Sequence, residues 1–446
     1  MIIKSYNIEI LKMAKKNNNN NNLKNRKKNT VEESEENINV IQKEEEKPKK
    51  EEKTVLLAEQ PKSQKWINWR IRTIWTFVMI FAFFFIIFSG HLCIILLVLV
   101  LQILIFKEII AIAHYPSQEK KLPWFRIINW YFLFVGIYYL YGEGIMDYFK
   151  FKFMKYELFQ ILLNNHKFIT FCLYTFGFVI FIMSLRKGFY QFQFIQFAWT
   201  HLILLFVVFQ AHFLINNILQ GIIWFFLPVS QIIVNDIAAY VCGFFWGRTP
   251  LIQLSPKKTW EGFIGAFFLT GIWGIFFSLL LAQFSYFTCP ATNLHTNVLS
   301  HVTCEPHPVF IPTAYNIPTI IVDVFSIFGI KLSTVTIIPI VLHSIVLSAF
   351  ASIIAPFGGF FASGLKRAFK IKDFGDTIPG HGGVTDRFDC QLLMAAFSSL
   401  YYMTFIKTPE TTVSFLMNQI ITLDAEQRLE LYNKFKDFMV DNNLLK

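Results

Sequence analysis

The amino-acid sequence predicts an all-α, polytopic integral membrane protein, built as a helical bundle with about nine transmembrane helices. Its 446 residues are 54% hydrophobic and only 16% charged, whereas a soluble domain carries about 25% charged residues. Apolar runs of about 17–25 residues recur along the chain, which is the length needed to cross a bilayer as a helix. Lys and Arg concentrate in loops on one side of these runs, as cytosolic loops do.

The first 65 residues are polar and precede every apolar run. Residues 1–65 contain an Asn run, Asn17–Asn22, and mixed Lys/Glu blocks. Such a segment cannot bury enough apolar surface to fold alone, and it lacks the apolar stretch of a signal peptide. We therefore expect a disordered cytosolic tail. The alternative is that the basic stretch Lys12–Lys28 tethers this tail to a membrane surface.

Nine apolar runs come next, and each predicts a membrane-spanning helix. They cover residues 71–89, 92–110, 124–141, 168–185, 197–214, 218–241, 262–284, 336–357 and 388–406. The sixth is interrupted by Pro228 and by Asn235–Asp236. Either neighbouring helices satisfy the carbonyl that the proline frees, or the helix is broken and lines a cavity. The spans predict a transmembrane domain at 66–406, and a polar, amphipathic tail at 407–446.

The loops predict the orientation. A cytosolic N-terminus places residues 235–261 and 358–387 in the cytosol, with eight basic residues: Arg248, Lys257, Lys258, Lys366, Arg367, Lys370, Lys372 and Arg387. The opposite loop, 285–335, has Lys331 as its one basic residue. Residues 142–167 carry four lysines on the predicted lumenal side, so that loop holds an interfacial helix or the span count differs. The net charge of +11 thus indicates anionic lipid and nucleotide as partners rather than nucleic acid.

The segment Ser363–Asp389 combines three kinds of phosphate-binding and metal-binding chemistry. Four basic residues come first, then a Gly-rich turn at Pro379–Gly383, then Asp386 and Asp389. Cations, backbone amides and paired carboxylates are what a magnesium–nucleotide site needs. Lys366 and Lys370 are spaced to share a helical face. The structural alternative is that the basic residues only flank a membrane helix, while Asp386 caps the next helix and Asp389 pairs with Arg387 or interacts favourably with the helix dipole.

The Gly-rich turn surrounds His381 with Gly380, Gly382 and Gly383. Glycines let backbone N–H groups converge on an anion and let a phosphate come close. His381 could donate to a phosphate or act as a base, although a single histidine is more often a structural donor.

A second polar cluster lies between the sixth and seventh spans. Ser255, Lys257, Lys258 and Thr259 are suited to a triphosphate, and Glu261 either caps the next helix or binds metal. Asp236 is an ionisable group inside an apolar run, where charge is costly and usually functional. Walker A, Rossmann, HExxH and metal-type CxxC motifs are missing from the sequence.

The six cysteines fall into two groups. Those in or beside apolar runs are expected to be packing residues: Cys93, Cys172, Cys242 and Cys390. Cys289 and Cys304 share a polar loop with His295, His301 and His307. A disulfide is expected there if the loop faces an oxidising lumen. The histidine spacing is not that of a zinc site.

The chain resembles the CDP-diacylglycerol synthase, or phosphatidate cytidylyltransferase, family. The family signature is matched at Ser363, Lys366, Arg367, Lys372, Asp373, Gly375, Pro379, His381, Gly382, Gly383, Asp386, Arg387 and Asp389. The segments 235–248 and 255–262 look like a second block of the eukaryotic form. So long a pattern is highly specific, and the organisation of residues 70–406 resembles that of the family, whereas both tails lie outside it.

The resemblance implies that CTP and phosphatidic acid give CDP-diacylglycerol and pyrophosphate, for phospholipid synthesis, with one or two Mg²⁺ ions. It implies metal ligands at Asp386, Asp389, Asp373 and Asp236. Catalytic roles are expected for Lys366, Arg367, Lys372, His381 and Arg387. Substrate binding is expected for Ser255, Lys257, Lys258, Thr259, Ser363, Gly382 and Gly383. A homodimer in the endoplasmic reticulum, with its site facing the cytosol, is the expected setting.

Two other functions stay open from the sequence. A CTP-dependent polyprenol or dolichol kinase would use the same ligands but move the terminal phosphate. A transporter or scaffold would need no metal, although charge clustered on one side of the membrane, rather than at its midplane, argues against a translocation path.

Overall fold

The computed structural model describes residues 62–119, 124–153, 161–162, 165–255, 258–291, 294, 296–316, 334–380, 382–407, 416–417, 420–421 and 423–442. Side chains at 62–69, 72, 113–119 and 143–153 are outside this description. The chain divides into units Met1–Trp69 and Arg70–Lys446, and the apolar core and the candidate site both belong to the second. The predicted tail up to residue 61, Lys257, His295 and His381 lie outside the described residues.

Thirteen α-helices make up most of the described chain. They are α1 Lys62–Ser89, α2 His91–Glu119, α3 Trp124–Phe153, α4 His166–Met183, α5 Tyr190–Leu204, α6 Gln210–Gln220, α7 Ile223–Trp246, α8 Trp260–Ala282, α9 Ser285–Thr288, α10 Ile340–Ile353, α11 Pro356–Ala368, α12 Thr385–Tyr401 and α13 Ala425–Asp441. Leu205–Phe209 and Tyr402–Ile406 are π-helical turns. Strands β1 Thr313–Asn316 and β2 Thr334–Ile337 pair antiparallel, with Thr313 opposite Ile337.

The helical membrane bundle predicted from the sequence is confirmed. Six described helical stretches are long and apolar enough to span a membrane: 91–112, 166–183, 190–220, 223–246, 260–282 and 340–368. The shorter apolar helix Thr73–Ser89 matches the first predicted span. Helices α3 and α12 occupy the two remaining positions. The lysine-containing region after residue 141 begins as a continuation of α3 to Phe153.

The predicted start of the sixth span is wrong. The break falls at Gly221, whose φ is 135°, and not at Pro228. A side chain on Gly221 would adopt a strained backbone and meet the carbonyl oxygens of Phe287 and Thr288 at 3.2 Å. Helix α7 then runs without interruption through Pro228 to Trp246, so the alternative of a broken helix is excluded.

The predicted loop 358–387 is also partly wrong, because α11 continues the eighth span. A kink separates α10 from α11, where the amides of Ile354 and Ala355 both donate to the carbonyl of Phe350. Helix α11 then carries Ser363 and Lys366 as far as Ala368. This part of the candidate site therefore sits on a rigid element and not on a loop.

Two apolar clusters hold the bundle together. The larger one packs α6, α7, α8, α10 and α12 around fully buried residues such as Ile218, Leu227, Leu347 and Met394. The smaller one packs α2, α3 and the π-turn after α5 around Phe106. Val384, which comes just before α12, belongs to this smaller cluster. The segment leading into α12 is therefore anchored on α2.

A chain of buried polar groups fixes α7, α8 and α10 relative to one another. The side-chain amide of Gln231 donates to Ser348 Oγ at 3.0 Å, and Ser348 donates to the carbonyl of Thr270 at 3.2 Å. Thr270 Oγ1 donates to Asn235 Oδ1 at 3.3 Å. Because these groups are buried, their mutual hydrogen bonds specify one register of the three helices. Asp236 comes next along α7.

The loop after α8 carries a disulfide between Cys289 and Cys304. Its backbone is bonded to the ends of other helices: the amide of Ala291 donates to the carbonyl of Leu219, and the amide of Val298 to that of Phe88. His307 Nδ1 accepts from the amide of Val309, and partial burial lowers the pKa of His307. This histidine serves the loop's own structure.

Candidate active site

Helix α11 ends in a hydrogen-bonded motif that determines where its basic residues lie. The amide of Ile371 donates to the carbonyl of Lys366, and the amide of Lys370 to that of Arg367. Lys370 takes a left-handed φ of 54°, the position after a helix where glycine is usual. The expected shared face of Lys366 and Lys370 is therefore wrong, because the helix has ended before Lys370.

The Gly-rich segment is a tight turn. Gly380 and Gly382 have φ of 75° and 80°, and the amide of Ile378 donates to the carbonyl of Gly382 at 3.0 Å. Asp373 packs against this turn, since a Cβ on Gly382 would lie 3.4 Å from its carboxyl carbon. Both glycines are needed because other side chains rarely adopt this conformation.

Asp386 lies in the first turn of α12 with both carboxylate oxygens engaged. Oδ1 accepts from Lys366 Nζ at 2.6 Å. Oδ2 accepts from the amides of Phe374 and Gly383 at 3.0 and 3.2 Å. The Lys366 ammonium also lies 5.5 Å from the centroid of the Phe374 ring. In this arrangement Asp386 joins α11, the loop and α12, and it offers less to a metal than Asp389 does. The structural alternative, that Asp386 caps α12, is wrong, because the residue at the cap position is Val384 and no side chain caps this helix.

Asp389, one turn further along α12, belongs to a different cluster. It interacts electrostatically with Asp236 on α7 and with Lys258. Asp236 also interacts electrostatically with Lys258 and Arg387. Gly358 and Gly359 of α11 let α12 approach closely. A Cβ on Gly358 would lie 2.5 Å from the carbonyl oxygen of Asp389.

This cluster fits a magnesium ion better than the other carboxylates do. Asp389 Oδ1 accepts from the amide of its own neighbour, Cys390, rather than from another segment. The described residues contain no group of three His, Cys, Asp or Glu side chains arranged to hold a metal. Magnesium, however, is commonly held by one or two carboxylates together with water and substrate phosphates. Asp236 and Asp389 can supply that pair.

Lys258 and Thr259 form the return arm of a hairpin that leads into α8 at Trp260. The amide of Leu251 donates to the carbonyl of Lys258, and the amide of Trp260 to that of Thr249. Lys258 leans over the ring of Phe360 on α11, 5.1 Å from its centroid. The hairpin therefore delivers Lys258 to the Asp236–Asp389 cluster, and Ser255 lies half-buried near the tip.

Two residues of this hairpin have structural partners. Thr259 Oγ1 accepts from the amide of Gly262 and caps α8. Glu261 accepts from the amides of Arg248 and Thr249 and from the Thr249 hydroxyl. The cap predicted as one alternative for Glu261 is instead Thr259. The carboxylate of Glu261 anchors the turn after α7, and metal binding by Glu261 stays a prediction.

The remaining predicted residues lie on α11, on the loop after it and in the first turn of α12. Ser363 is half-buried on α11, while Arg367, Lys372 and Arg387 are exposed. Lys372 immediately precedes Asp373 on the loop. The three basic side chains, of Arg367, Lys372 and Arg387, are open to an anion that enters from solvent. The roles assigned to all four residues remain predictions.

An apolar cavity of about 290 Å³ opens beside Asp389. It lies between α2, the π-turn after α5, α11 and α12, and its walls include Ile105, Phe206, Phe361 and Leu393. Its apolar walls suit a hydrocarbon chain, and the carboxylate of Asp389 belongs to its lining.

Sequence reasoning missed one residue, Glu108. It is a buried carboxylate on α2, 7% exposed, and it accepts hydrogen bonds from the amide of Val384, which directly follows the Gly-rich turn, and from the amide of Thr385 at the start of α12. A signal was present, since an acidic residue inside the second apolar run satisfies the same criterion that singled out Asp236.

Comparison with known proteins identifies close relatives. A sequence model of the cytidylyltransferase family matches residues 70–405. The chain is 48% identical over 389 residues to phosphatidate cytidylyltransferase of Saccharomyces cerevisiae, covering 87% of this chain and 84% of the yeast protein. It is also 48% identical over 384 residues to human phosphatidate cytidylyltransferase 1, covering 86% and 82% of the two chains. A putative phosphatidate cytidylyltransferase of Schizosaccharomyces pombe is 47% identical, with 86% of each chain covered.

Proposed function

This chain belongs to the cytidylyltransferase family, and we propose that it transfers CMP from CTP to phosphatidic acid, releasing pyrophosphate. The observation that carries the proposal is that Asp389, whose carboxylate interacts electrostatically with Asp236 and Lys258, also lines an apolar cavity. Charged groups for a nucleotide and hydrocarbon space for a lipid are thereby adjacent. Neither a polyprenol or dolichol kinase nor a transporter is supported by the relatives, which are named for the cytidylyl reaction.

The proposed reaction needs two polyanions to approach. A phosphatidate oxygen forms a bond to the α-phosphorus of CTP, and the bond from that phosphorus to the oxygen bridging to the β-phosphate breaks. Pyrophosphate leaves with the electron pair. The phosphatidate headgroup is already an anion near neutral pH, so a strong base is not required.

The chain's own residues would reduce the repulsion. Lys258 and Arg387 lie beside the carboxylates, where they can pair with the CTP phosphates. Arg367 and Lys372 would stabilise the leaving pyrophosphate. His381 and the backbone of Gly382–Gly383, which lets a phosphate come close, would orient the triphosphate. Asp236 and Asp389 would hold magnesium, which when bound neutralises phosphate charge.

The site would work at a membrane surface. The acyl chains of the lipid can occupy the apolar cavity while the headgroup reaches Asp389. The basic loops 235–261 and 358–387 favour a cytosolic site, and the endoplasmic reticulum is the proposed membrane. A homodimer remains a prediction, to be measured by light scattering in detergent.

Radiolabelled CTP tests the proposed reaction in purified protein. With phosphatidate, label from the α-phosphate should enter lipid, and label from the γ-phosphate should not. Asp389→Asn should lower the rate by at least two orders of magnitude, about 3 kcal/mol or more in activation free energy. Asp437→Asn, at an exposed position on α13, is the matched control and should keep the wild-type rate. Transfer of γ-label to lipid would instead establish a kinase.

A further inference from the structure

A buried carboxylate outside the signature segments holds the Gly-rich loop in place. Glu108 lies on α2, in a stretch that also carries the fully buried Phe106. An ionised carboxylate in such surroundings is stable only when its oxygens are hydrogen-bonded. Its partners therefore indicate what the residue does.

The described partners of Glu108 come from the segment between α11 and α12 and from the first residue of α12. Oε1 accepts from the amide of Val384 at 2.9 Å and from the Thr377 hydroxyl. Oε2 accepts from the amide and the hydroxyl of Thr385, both at 2.8 Å. Two carboxylate oxygens offer about four acceptor positions. Protein donors thus occupy them all, and Glu108 is not available to a metal ion or a substrate proton.

The loop is shaped to fit around this carboxylate. A Cβ on Gly383 would lie 2.8 Å from Oε2, and a Cβ on Gly375 would lie 3.1 Å from Oε1. Both distances are too short for ordinary contact. These two glycines are therefore needed where the backbone closes on Glu108, which is separate from any approach to a phosphate.

The same segment is bound on its other side by Asp386, through the amides of Phe374 and Gly383. Residues on both flanks of the Gly-rich turn are thus bonded to one or the other of these two carboxylates. Asp386 belongs to the segment itself, whereas Glu108 comes from a helix about 270 residues earlier, the separation to Thr377 being 269.

We infer that Glu108 is a positioning residue for the proposed cytidylyl transfer: its charged carboxylate fixes Thr377, Val384 and Thr385, which flank the Gly-rich turn, so that the turn is held where it can receive the nucleotide phosphates. The inference rests on the proposed function for its kinetic consequence. Its structural part, a loop ordered by the Glu108 charge, stands independently of the reaction.

Glu108→Gln tests the role of the charge. The amide keeps the shape of the side chain but turns one oxygen into a donor, which then faces the donors of Val384 or Thr385. In nanodiscs without substrate, hydrogen exchange of peptides covering 374–386 should become at least about ten-fold faster, because buried donors lose their acceptor. Peptides from α7 and α8 should exchange as in the wild type.

The kinetic arm separates positioning from folding. Per folded molecule, Glu108→Gln should lower kcat at least about ten-fold and raise KM for CTP, leaving KM for phosphatidate within about two-fold. Thr385→Val should move the same parameters in the same direction, and Thr385→Ser, which retains the hydroxyl, should restore them. If Glu108→Gln does not fold, Thr385→Val tests the inference in its place.

Gln102→Met is the matched control. Gln102 is equally buried on α2, but its side chain accepts from the Tyr141 hydroxyl of α3 and so joins two helices away from the loop. Its variant should leave loop exchange and both KM values unchanged. The inference is overturned if Glu108→Gln leaves loop exchange as in the wild type, or if it lowers only the yield of folded protein. An inactive wild type with a faster-exchanging variant loop would refute the reaction and leave the ordering of the loop by Glu108 standing.

Discussion

Asp386 and Asp389 are three residues apart and were expected to act together, yet they have different partners. Asp386 lies in the first turn of α12, where the amides of the preceding loop and Lys366 reach it. Asp389 lies one turn deeper, against the glycines of α11 and near Asp236. Sequence spacing showed that both face the same side of a helix, but the neighbours come from other segments and could not be read from spacing.

Magnesium dependence should separate the four acidic residues that the sequence proposed as ligands. Asp236→Asn and Asp389→Asn should each raise the Mg²⁺ concentration for half-maximal rate at least about ten-fold, or about 1.4 kcal/mol in binding free energy. Asp373→Asn and Asp386→Asn should shift it less, because these carboxylates contact the turn and Lys366. A titration of rate against Mg²⁺ measures all four, and equal shifts would contradict the assignment.

Removing Asp386 from the Lys366–Asp386 pair should destabilise the protein more than removing Lys366. The side chains are 17% and 9% exposed. Lys366→Met leaves Asp386 with two backbone donors and should cost about 1–3 kcal/mol. Asp386→Ala removes the acceptor of the lysine and of both amides, and should cost at least about 1 kcal/mol more. Thermal unfolding in detergent gives the order, and Lys434→Met, in an exposed pair on α13, should cause no measurable change.

At the scale of elements, two glycines in α8 offer a comparison within one helix. A Cβ on Gly274 would lie 2.2 Å from Ser348 Oγ and 2.9 Å from Gln231 Nε2, whereas a Cβ on Gly271 would meet nothing within 4 Å. Gly271→Ala should therefore be neutral or stabilise by up to about 1 kcal/mol through helix propensity. Gly274→Ala should destabilise by about 1–3 kcal/mol through overpacking. Thermal unfolding of the pair checks this, and a stabilised Gly274→Ala would mean that α8 and α10 do not pack this closely.

The apolar runs predicted the helices well, while their ends depended on contacts that the sequence does not display. Pro228 looked like the break in the sixth span, but α7 continues through it. The break occurs at Gly221, where the loop after α8 passes close to the backbone. Helix α11 is rich in glycine and carries Lys366 and Arg367 near its end, so it resembled a loop. Its packing against α12 makes it helical.

At the scale of the molecule, the disulfide should stabilise the end of the bundle where the loop after α8 packs. Cys289 and Cys304 are 15 residues apart, and closing a loop of that length is worth about 3 kcal/mol in the chain-entropy account. Replacing both cysteines by serine should lower the thermal midpoint in detergent. Cys172→Ser, at an exposed position, is the control. An unchanged midpoint for the double variant would show that backbone bonds alone secure the loop.

The orientation predicted from basic loops can be measured with single cysteines and a membrane-impermeant thiol reagent. Leu299, in the loop after α8, is 91% exposed, and Lys370 is exposed at the end of α11. In sealed microsomes, Lys370→Cys should be labelled directly and Leu299→Cys only after permeabilisation. The reverse pattern would invert the proposed topology.

The whole bundle also shows which part of the site is accessible to sequence reasoning. The signature residues identified the loop and α12, and the intramembrane acid Asp236 identified the facing helix. The cavity and the Glu108 contacts also need α2, α5 and the π-turn after it, which lie outside the signature and come together with α11, α12 and the loop between them. Only the packing of distant helices reveals them.

The long separation between Glu108 and its partners has a consequence for biosynthesis. Val384 is made 276 residues after Glu108, which at roughly 5–20 residues per second leaves the acid without these hydrogen-bond donors for about 14–55 s. If α2 enters the bilayer during that interval, it does so without the partners that Glu108 has in the folded protein, and an ionised carboxylate without partners is costly there. A ribosome-bound chain ending before Thr377 should therefore present α2 as a target for quality-control proteases. A chain in which Thr377, Val384 and Thr385 have been made and released should no longer do so.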